Sequence, residues 1–226
     1  MPDLSTSLHL NMLRAHASLP YRLARAVRRE FKPAGIYGLE WGDPETVPPL
    51  KFVRDRWVLP YVQPSQACVE IGPGGGRWTR YLVGFSKLYV VDYHDELLDE
   101  LKKNFKNPNI IFVKNNGTDF PSVADHSVDF LFSFGVFVHL DVPLINEYLA
   151  NMRRILRPAG NAVIQYSDKT KVMAREDAGL DSGFSENDPS RMRKMVTEAG
   201  FSVIEEDLTS LWHSSLIRFT PVPENR

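Results

Sequence analysis

The apolar run Cys68-Val69-Glu70-Ile71 stops at Gly72-Pro73-Gly74-Gly75-Gly76, and Arg77-Trp78-Thr79-Arg80-Tyr81-Leu82 then opens an amphipathic stretch. A short apolar run closed by glycines reads as a buried strand, and the spacing after it reads as a helix. The chain must therefore turn sharply between the two. Gly72 permits the turn, while Gly74 and Gly76 let bare backbone approach a ligand where a Cβ would collide. A nucleoside fits against such a loop. The third glycine comes one residue too early for the dinucleotide fingerprint G-x-G-x-x-G.

The same alternation continues along the chain. Strands are expected at Ala67 to Ile71, Lys87 to Val91, Ile110 to Lys114, Val128 to Ser133, Asn161 to Tyr166, Ser202 to Asp207 and Ser214 to Phe219. Helices are expected at Leu50 to Tyr61, Trp78 to Phe85, Glu96 to Phe105, Leu144 to Leu156 and Pro189 to Ala199, the last with Asp188 as N-cap. Strand and helix taking turns predict an α/β fold with a doubly wound, mostly parallel seven-stranded sheet. Too few residues separate the last two strands for a helical crossover, so the final strand runs antiparallel to its predecessor.

Ahead of this pattern, residues 4 to 31 carry helical spacing (Leu4, Leu8 and Met12, then Leu23, Val27 and Phe31) interrupted at Pro20. A proline- and glycine-rich loop follows, with Tyr37 and Trp41 in it. The expected organisation is an N-terminal pair of helices and lid segment over residues 1–62 and a ligand-binding domain over residues 63–226.

The formal net charge of −1 argues against a nucleic-acid partner, although residues 1 to 32 are basic through Arg14, Arg22, Arg25, Arg28, Arg29 and Lys32. The helix Arg22 to Arg29 either docks an acidic surface or is a solvated face over a buried stripe. A single cysteine, Cys68, fits a reducing compartment, and no apolar stretch reaches the length of a membrane span. Cytoplasmic location without stable membrane insertion is expected, as monomer or homodimer.

Glu70-Ile71-Gly72-Pro73-Gly74-Gly75-Gly76 resembles the E/D-x-G-x-G-x-G signature of class I S-adenosylmethionine-dependent methyltransferases. The resemblance extends over most of Gln66 to Phe219, including Ser133 to Asp141 after the fourth strand and Leu156-Arg157-Pro158-Ala159-Gly160 before the fifth. It implies S-adenosyl-L-methionine as cofactor and S-adenosyl-L-homocysteine as product. It places Glu70, Gly72, Gly74, Gly76 and Asp92 at the cofactor, with Tyr93, Asn116, Gly117 and Ser133 beside them. Asp92, at the tip of the second strand, is suited to accept two ribose hydroxyls. Asn116 stands where the family usually has an aspartate reading the adenine amino group, a bond that an amide carbonyl also accepts.

In an open parallel sheet the crevice lies at the carboxyl ends of the strands. His139 after the fourth strand and His213 before the last one are the candidate bases, since histidine titrates near neutral pH. His139 is equally readable as a scaffold residue, and His213 as an exposed hairpin residue. Tyr37, Trp41, Tyr166 and Trp212 are the candidate substrate contacts, the first two from a loop able to exclude water. The expected reaction is methylation of a small-molecule acceptor, on a hydroxyl of a sugar or secondary metabolite. A small amine acceptor, or a non-catalytic partner subunit, are the alternatives. A nucleic-acid base methyltransferase would carry Asn/Asp-Pro-Pro-aromatic where this chain has Ser133-Phe134-Gly135-Val136, and Asp141 with Asp168 alone does not make a metal site.

Overall fold

The computed structural model describes residue 38 and residues 41–171 and 184–223. The helices expected within residues 4 to 31, with their basic face, and Tyr37 lie outside these. The described elements are α1 (Pro48–Val53, continued by a π-type turn Arg54–Val58 and a 3-10 turn Leu59–Tyr61), β1 (Ala67–Ile71), α2 (Thr79–Leu82), β2 (Lys87–Asp92) and α3 (Asp95–Asn104). They continue with β3 (Ile110–Lys114), β4 (Val128–Ser133), α4 (Val142–Ile155), β5 (Leu156–Ser167), α5 (Pro189–Glu198), β6 (Phe201–Asp207) and β7 (Ser214–Pro221).

The strands form one sheet in the order β3-β2-β1-β4-β5-β7-β6. β1 to β5 are parallel neighbours, and β7 runs antiparallel to both β5 and β6. This is the doubly wound sheet with a reversed last strand that the spacing predicted. The order reverses at β1, which lies between β2 and β4, so the crevice opens beyond Ile71, Asp92 and Ser133.

Side chains alternate across the strands and build two cores. Val69, Ile71, Leu131, Ile164 and Tyr166 pack with α4 and α5 on one face. Cys68, Phe130, Phe132 and Val163 pack on the other with Trp57 of the α1 extension, Leu82 of α2 and Leu101 of α3.

The boundaries of α2, α1 and β5 are among those that differ from the sequence expectation. α2 is confined to Thr79–Leu82 because the Asn109 Nδ2 amide donates to the carbonyls of Val83 (3.0 Å) and Phe85 (2.7 Å), taking oxygens that a longer helix would use internally. α1 starts at Pro48, whose ring suits a first helical position. β5 starts at Leu156 directly from α4, with a register irregularity opposite Val128 and Phe130. The Arg157 to Gly160 segment lies in that irregularity, and a Cβ on Gly160 would come within 3.0 Å of the Arg157 and Val128 carbonyls. Asp188 caps α5 as expected, accepting from the Arg191 amide at 2.9 Å. Among the described residues no helix is long and apolar enough to cross a membrane.

Candidate active site

The loop after β1 holds its shape through glycine conformations: Gly72, Gly74 and Gly76 all have positive φ (67°, 55° and 98°). What fills the space above them is partly protein. A Cβ on Gly72 would lie 2.1 Å from Val136 Cγ2, and one on Gly76 would lie 2.2 Å from Phe105 Cε2. The expectation that Gly76 leaves room for a ligand is corrected: its missing side chain admits Phe105 and Leu101 from the α3 side. Gly72 and Gly74 do line a cavity.

Glu70, one residue before the end of β1, is 2% exposed and accepts a 2.6 Å hydrogen bond from Thr79 Oγ1 of α2. Burial pushes its carboxyl up to about 8; the Asp92 charge adds to this, while the Thr79 hydrogen bond and the Arg77 charge oppose it. Asp92 ends the neighbouring strand. The Gly72 amide bonds the Val91 carbonyl at 2.8 Å and the Asn115 amide bonds the Asp92 carbonyl at 3.1 Å, so the ends of β1, β2 and β3 meet here. Asp92 is buried, its Oδ1 accepts from the His94 amide (2.8 Å), and burial raises its pKa.

Tyr93 stands exposed beside Asp92, with Lys114 Nζ 4.9 Å from its ring centroid and Gly117 against its edge. Two expected contacts are otherwise engaged. The Asn116 Oδ1 accepts from the amides of Thr118 (3.0 Å) and Asp119 (3.1 Å), so the carbonyl assigned to adenine holds its own turn. The Ser133 hydroxyl donates to the Ile71 carbonyl at 3.1 Å and ties β4 to β1, fully buried.

A cavity of about 450 Å³ opens on the α1 and α2 side of the strand ends. Its floor includes Gly72, Pro73, Gly74 and Gly135, and its walls include Trp41, Trp78, Phe134, Phe184 and Trp212. Trp41 belongs to a segment fastened to the domain: Asp43 pairs with Arg80, Glu45 pairs with Arg54, and Tyr81 donates to Glu45 at 2.7 Å. His139 and His213, remote in sequence, both line this cavity. Their rings stack on Phe184, with centroids 5.3 Å (His139) and 4.7 Å (His213) from it and interplanar angles of 10° and 15°. Phe184 is held by the adjacent Ser185 amide, which donates to the Val138 carbonyl at 2.7 Å.

Tyr166 is not in the cavity. It is fully buried in the core on the α4 and α5 side, because it alternates with Gln165, which faces the other way. Gln165 is the residue sequence reasoning missed, and period-2 spacing from Val163 was the available signal. Asp168 forms a turn, accepting from the Thr170 amide (3.0 Å) and from Ser215 Oγ (2.7 Å). Arg77 and Phe184 also line the cavity, one inside the helical stretch after the glycines and the other in a stretch without clear periodicity.

The Methyltransferase domain family matches residues 69–164, from the second residue after the start of β1 into β5. Residues 69–164 thus carry a methyltransferase domain, in line with the resemblance to class I S-adenosylmethionine-dependent methyltransferases. Solved structures share the fold at low identity. An S-adenosylmethionine-dependent methyltransferase from Mesorhizobium loti aligns with TM-score 0.64 and 13% identity over 78% of this chain and 99% of its own. A Haloferax volcanii methyltransferase complex with the Trm112 methyltransferase activator aligns with TM-score 0.60 and 15% identity, over 80% and 96%. A glycopeptide N-methyltransferase complexed with S-adenosylmethionine aligns with TM-score 0.56 and 15% identity, over 71% and 82%. Comparison with curated protein sequences finds no significant match.

The methyltransferase site suits its cofactor, S-adenosylmethionine. Glu70 and Asp92 are two buried carboxylates on adjacent strand ends, each pushed toward its neutral form. A ligand carrying ammonium and sulfonium charge relieves that cost by favouring both anions. At the cavity floor Gly135 has φ 88°, and a Cβ there would meet nothing within 4 Å, so bare backbone borders open space.

Proposed function

We propose that this methyltransferase transfers the cofactor's methyl group to a hydroxyl oxygen of a small-molecule acceptor bound in the cavity beside Gly72 and Gly74. The observation that carries the reading is the stack of His139, Phe184 and His213, which sets two imidazoles on the wall of the cavity that the glycine loop floors. Asp92 and Glu70 hold the cofactor by charge and hydrogen bonding, with Tyr93 and Gly117 beside the nucleoside. When bound, the cofactor supplies an electrophilic methyl on a sulfonium.

The chain's own residues supply the rest. A hydroxyl is a weak nucleophile until its proton leaves, and an imidazole nitrogen of His139 or His213 accepts that proton as the oxygen attacks. Trp41 and Trp212 exclude water and orient the acceptor, which shortens the search for an in-line geometry.

The test is S-adenosylhomocysteine formation with metabolite extracts, followed by identification of the methylated product and pH profiles of wild type, His139→Gln and His213→Gln. General-base catalysis is worth roughly 10²–10⁴-fold, so one of the two variants loses turnover on that scale and loses the acid limb of its pH profile. Full turnover in both variants, or a methyl found on nitrogen, defeats the reading.

A further inference from the structure

Resting on the reading of the two imidazoles as bases, we infer that Gln165 is a positioning residue: its amide holds the loop that carries His139 in register with the hairpin that carries His213, across Phe184.

The topology leaves a place for such a tie. β5 lies between β4 and β7, so the segments that carry the two histidines do not pair with each other. Along β5, Ile164 and Tyr166 face the core on the α4 and α5 side, and the residue between them points the other way, to the cavity wall. There the Gln165 side chain, 3% exposed, meets both segments. Its Oε1 accepts from the Gly135 amide at 2.8 Å, and its Nε2 donates to Ser214 Oγ at 2.7 Å. A backbone N–H can only donate, so it faces the amide oxygen, and that choice turns the NH2 toward the serine.

Of the two segments, the hairpin is the fixed one. Ser214 pairs with Ser167 in the β5–β7 ladder, and the Asp168 amide donates to the His213 carbonyl at 3.1 Å. Lys171 Nζ donates to the carbonyls of Leu211 (2.7 Å) and Ser214 (2.6 Å), on either side of Trp212 and His213. The loop after β4 is held differently. Gly135 has φ 88°, and a Cβ there would meet nothing within 4 Å, so side-chain packing does not fix this backbone and the hydrogen bond from its amide to Gln165 takes that part. Beyond it the chain turns tightly, the His139 amide donating to the Val136 carbonyl at 2.9 Å, so a shift at Gly135 carries to His139. Phe184 travels with this loop, because the adjacent Ser185 amide donates to the Val138 carbonyl at 2.7 Å. The contact that opens when Gln165 lets go is therefore the stack of Phe184 on His213, now 4.7 Å between centroids.

The experiment compares the wild-type full chain with Gln165→Leu, which keeps the bulk of the side chain and loses both hydrogen bonds. In 13C-histidine-labelled protein, imidazole C–H protons stacked on a phenyl ring resonate upfield, and His139→Gln and His213→Gln assign the signals. Gln165→Leu is expected to lose the upfield displacement at His213. Apparent kcat for S-adenosylhomocysteine formation with a fixed metabolite extract is expected to fall on the order of 10²-fold, as for about 1 Å of misplacement. The KM for S-adenosylmethionine should stay within about twofold, since cofactor binding is not what changes. A His213 signal at its wild-type position, or wild-type turnover once that signal has moved, overturns the inference. So does a raised KM for S-adenosylmethionine with kcat intact, which makes Gln165 a cofactor contact instead. Should Gln165→Leu not fold, Gln165→Asn decides in the same way, since it carries both polar groups one methylene short of spanning the gap. Failure of the underlying reading shows separately, as full turnover in both His139→Gln and His213→Gln.

Discussion

Replacing Glu70 by glutamine keeps the shape and the Thr79 partner of the side chain while removing its charge. In the folded protein the carboxyl stands near 8 against an ordinary 4.5, with burial as the main cause. Between these values the native state holds a proton that the unfolded chain gives up. Stability therefore falls as pH rises through that window, and it is fully present only below 4.5. Each tenfold step is worth about 1.4 kcal/mol, so the charged carboxylate costs the empty protein on the order of 5 kcal/mol above pH 8. Local relaxation makes this an upper figure. Urea denaturation of wild type and Glu70→Gln, without cofactor, is expected to give curves within about 1 kcal/mol of each other near pH 4.5. The variant should be several kcal/mol more stable near pH 9, and should also bind S-adenosylmethionine more weakly, since the cation loses its carboxylate. Parallel stability profiles for the two proteins across this range would refute the argument.

Cofactor binding to wild type between pH 6 and 8 is expected to release a proton as Glu70 ionises against the cation, read as a dependence of the calorimetric enthalpy on buffer ionisation heat; Glu70→Gln should lack it. Asp92→Ala is expected to weaken S-adenosylmethionine binding roughly 10- to 100-fold, the worth of charge-assisted bonds to the ribose, and unchanged affinity would remove Asp92 from the site. Gly72→Ala places a Cβ 2.1 Å from Val136 Cγ2 at positive φ and should cost about 2–4 kcal/mol of stability, with Val136→Ala in the same chain restoring part of it, since the backbone strain remains. Asp188→Ala removes the α5 cap and should cost about 1 kcal/mol, seen in thermal unfolding, with turnover unaffected.

What the sequence made legible follows from which interactions are local. The strands from β1 to β4 are fixed by apolar runs and glycine stops, and they appear within a residue of expectation because nothing distant competes with them. The shortened α2 depends on Asn109, more than twenty residues further along, whose amide happens to reach Val83 and Phe85; no window around the helix contains that information. The same distinction runs through the site. Asp92 and Gly72 stand at the strand ends where the motif located them, while the Asn116 oxygen, which motif analogy assigned to a ligand, accepts from the amides of its own turn. Tyr166 was misassigned for a simpler reason. It sits at a strand end, and only its parity with Ile164 shows that it faces the core while Gln165 faces the cavity. Hardest of all to foresee was Phe184, which follows an aperiodic charged stretch and stacks between two histidines, next to the Ser185 amide that donates to the Val138 carbonyl. The wall of the cavity around Phe184 is assembled from such long-range contacts. The cofactor side is written largely in consecutive residues, so a sequence like this one declares its donor of methyl groups far more openly than its recipient.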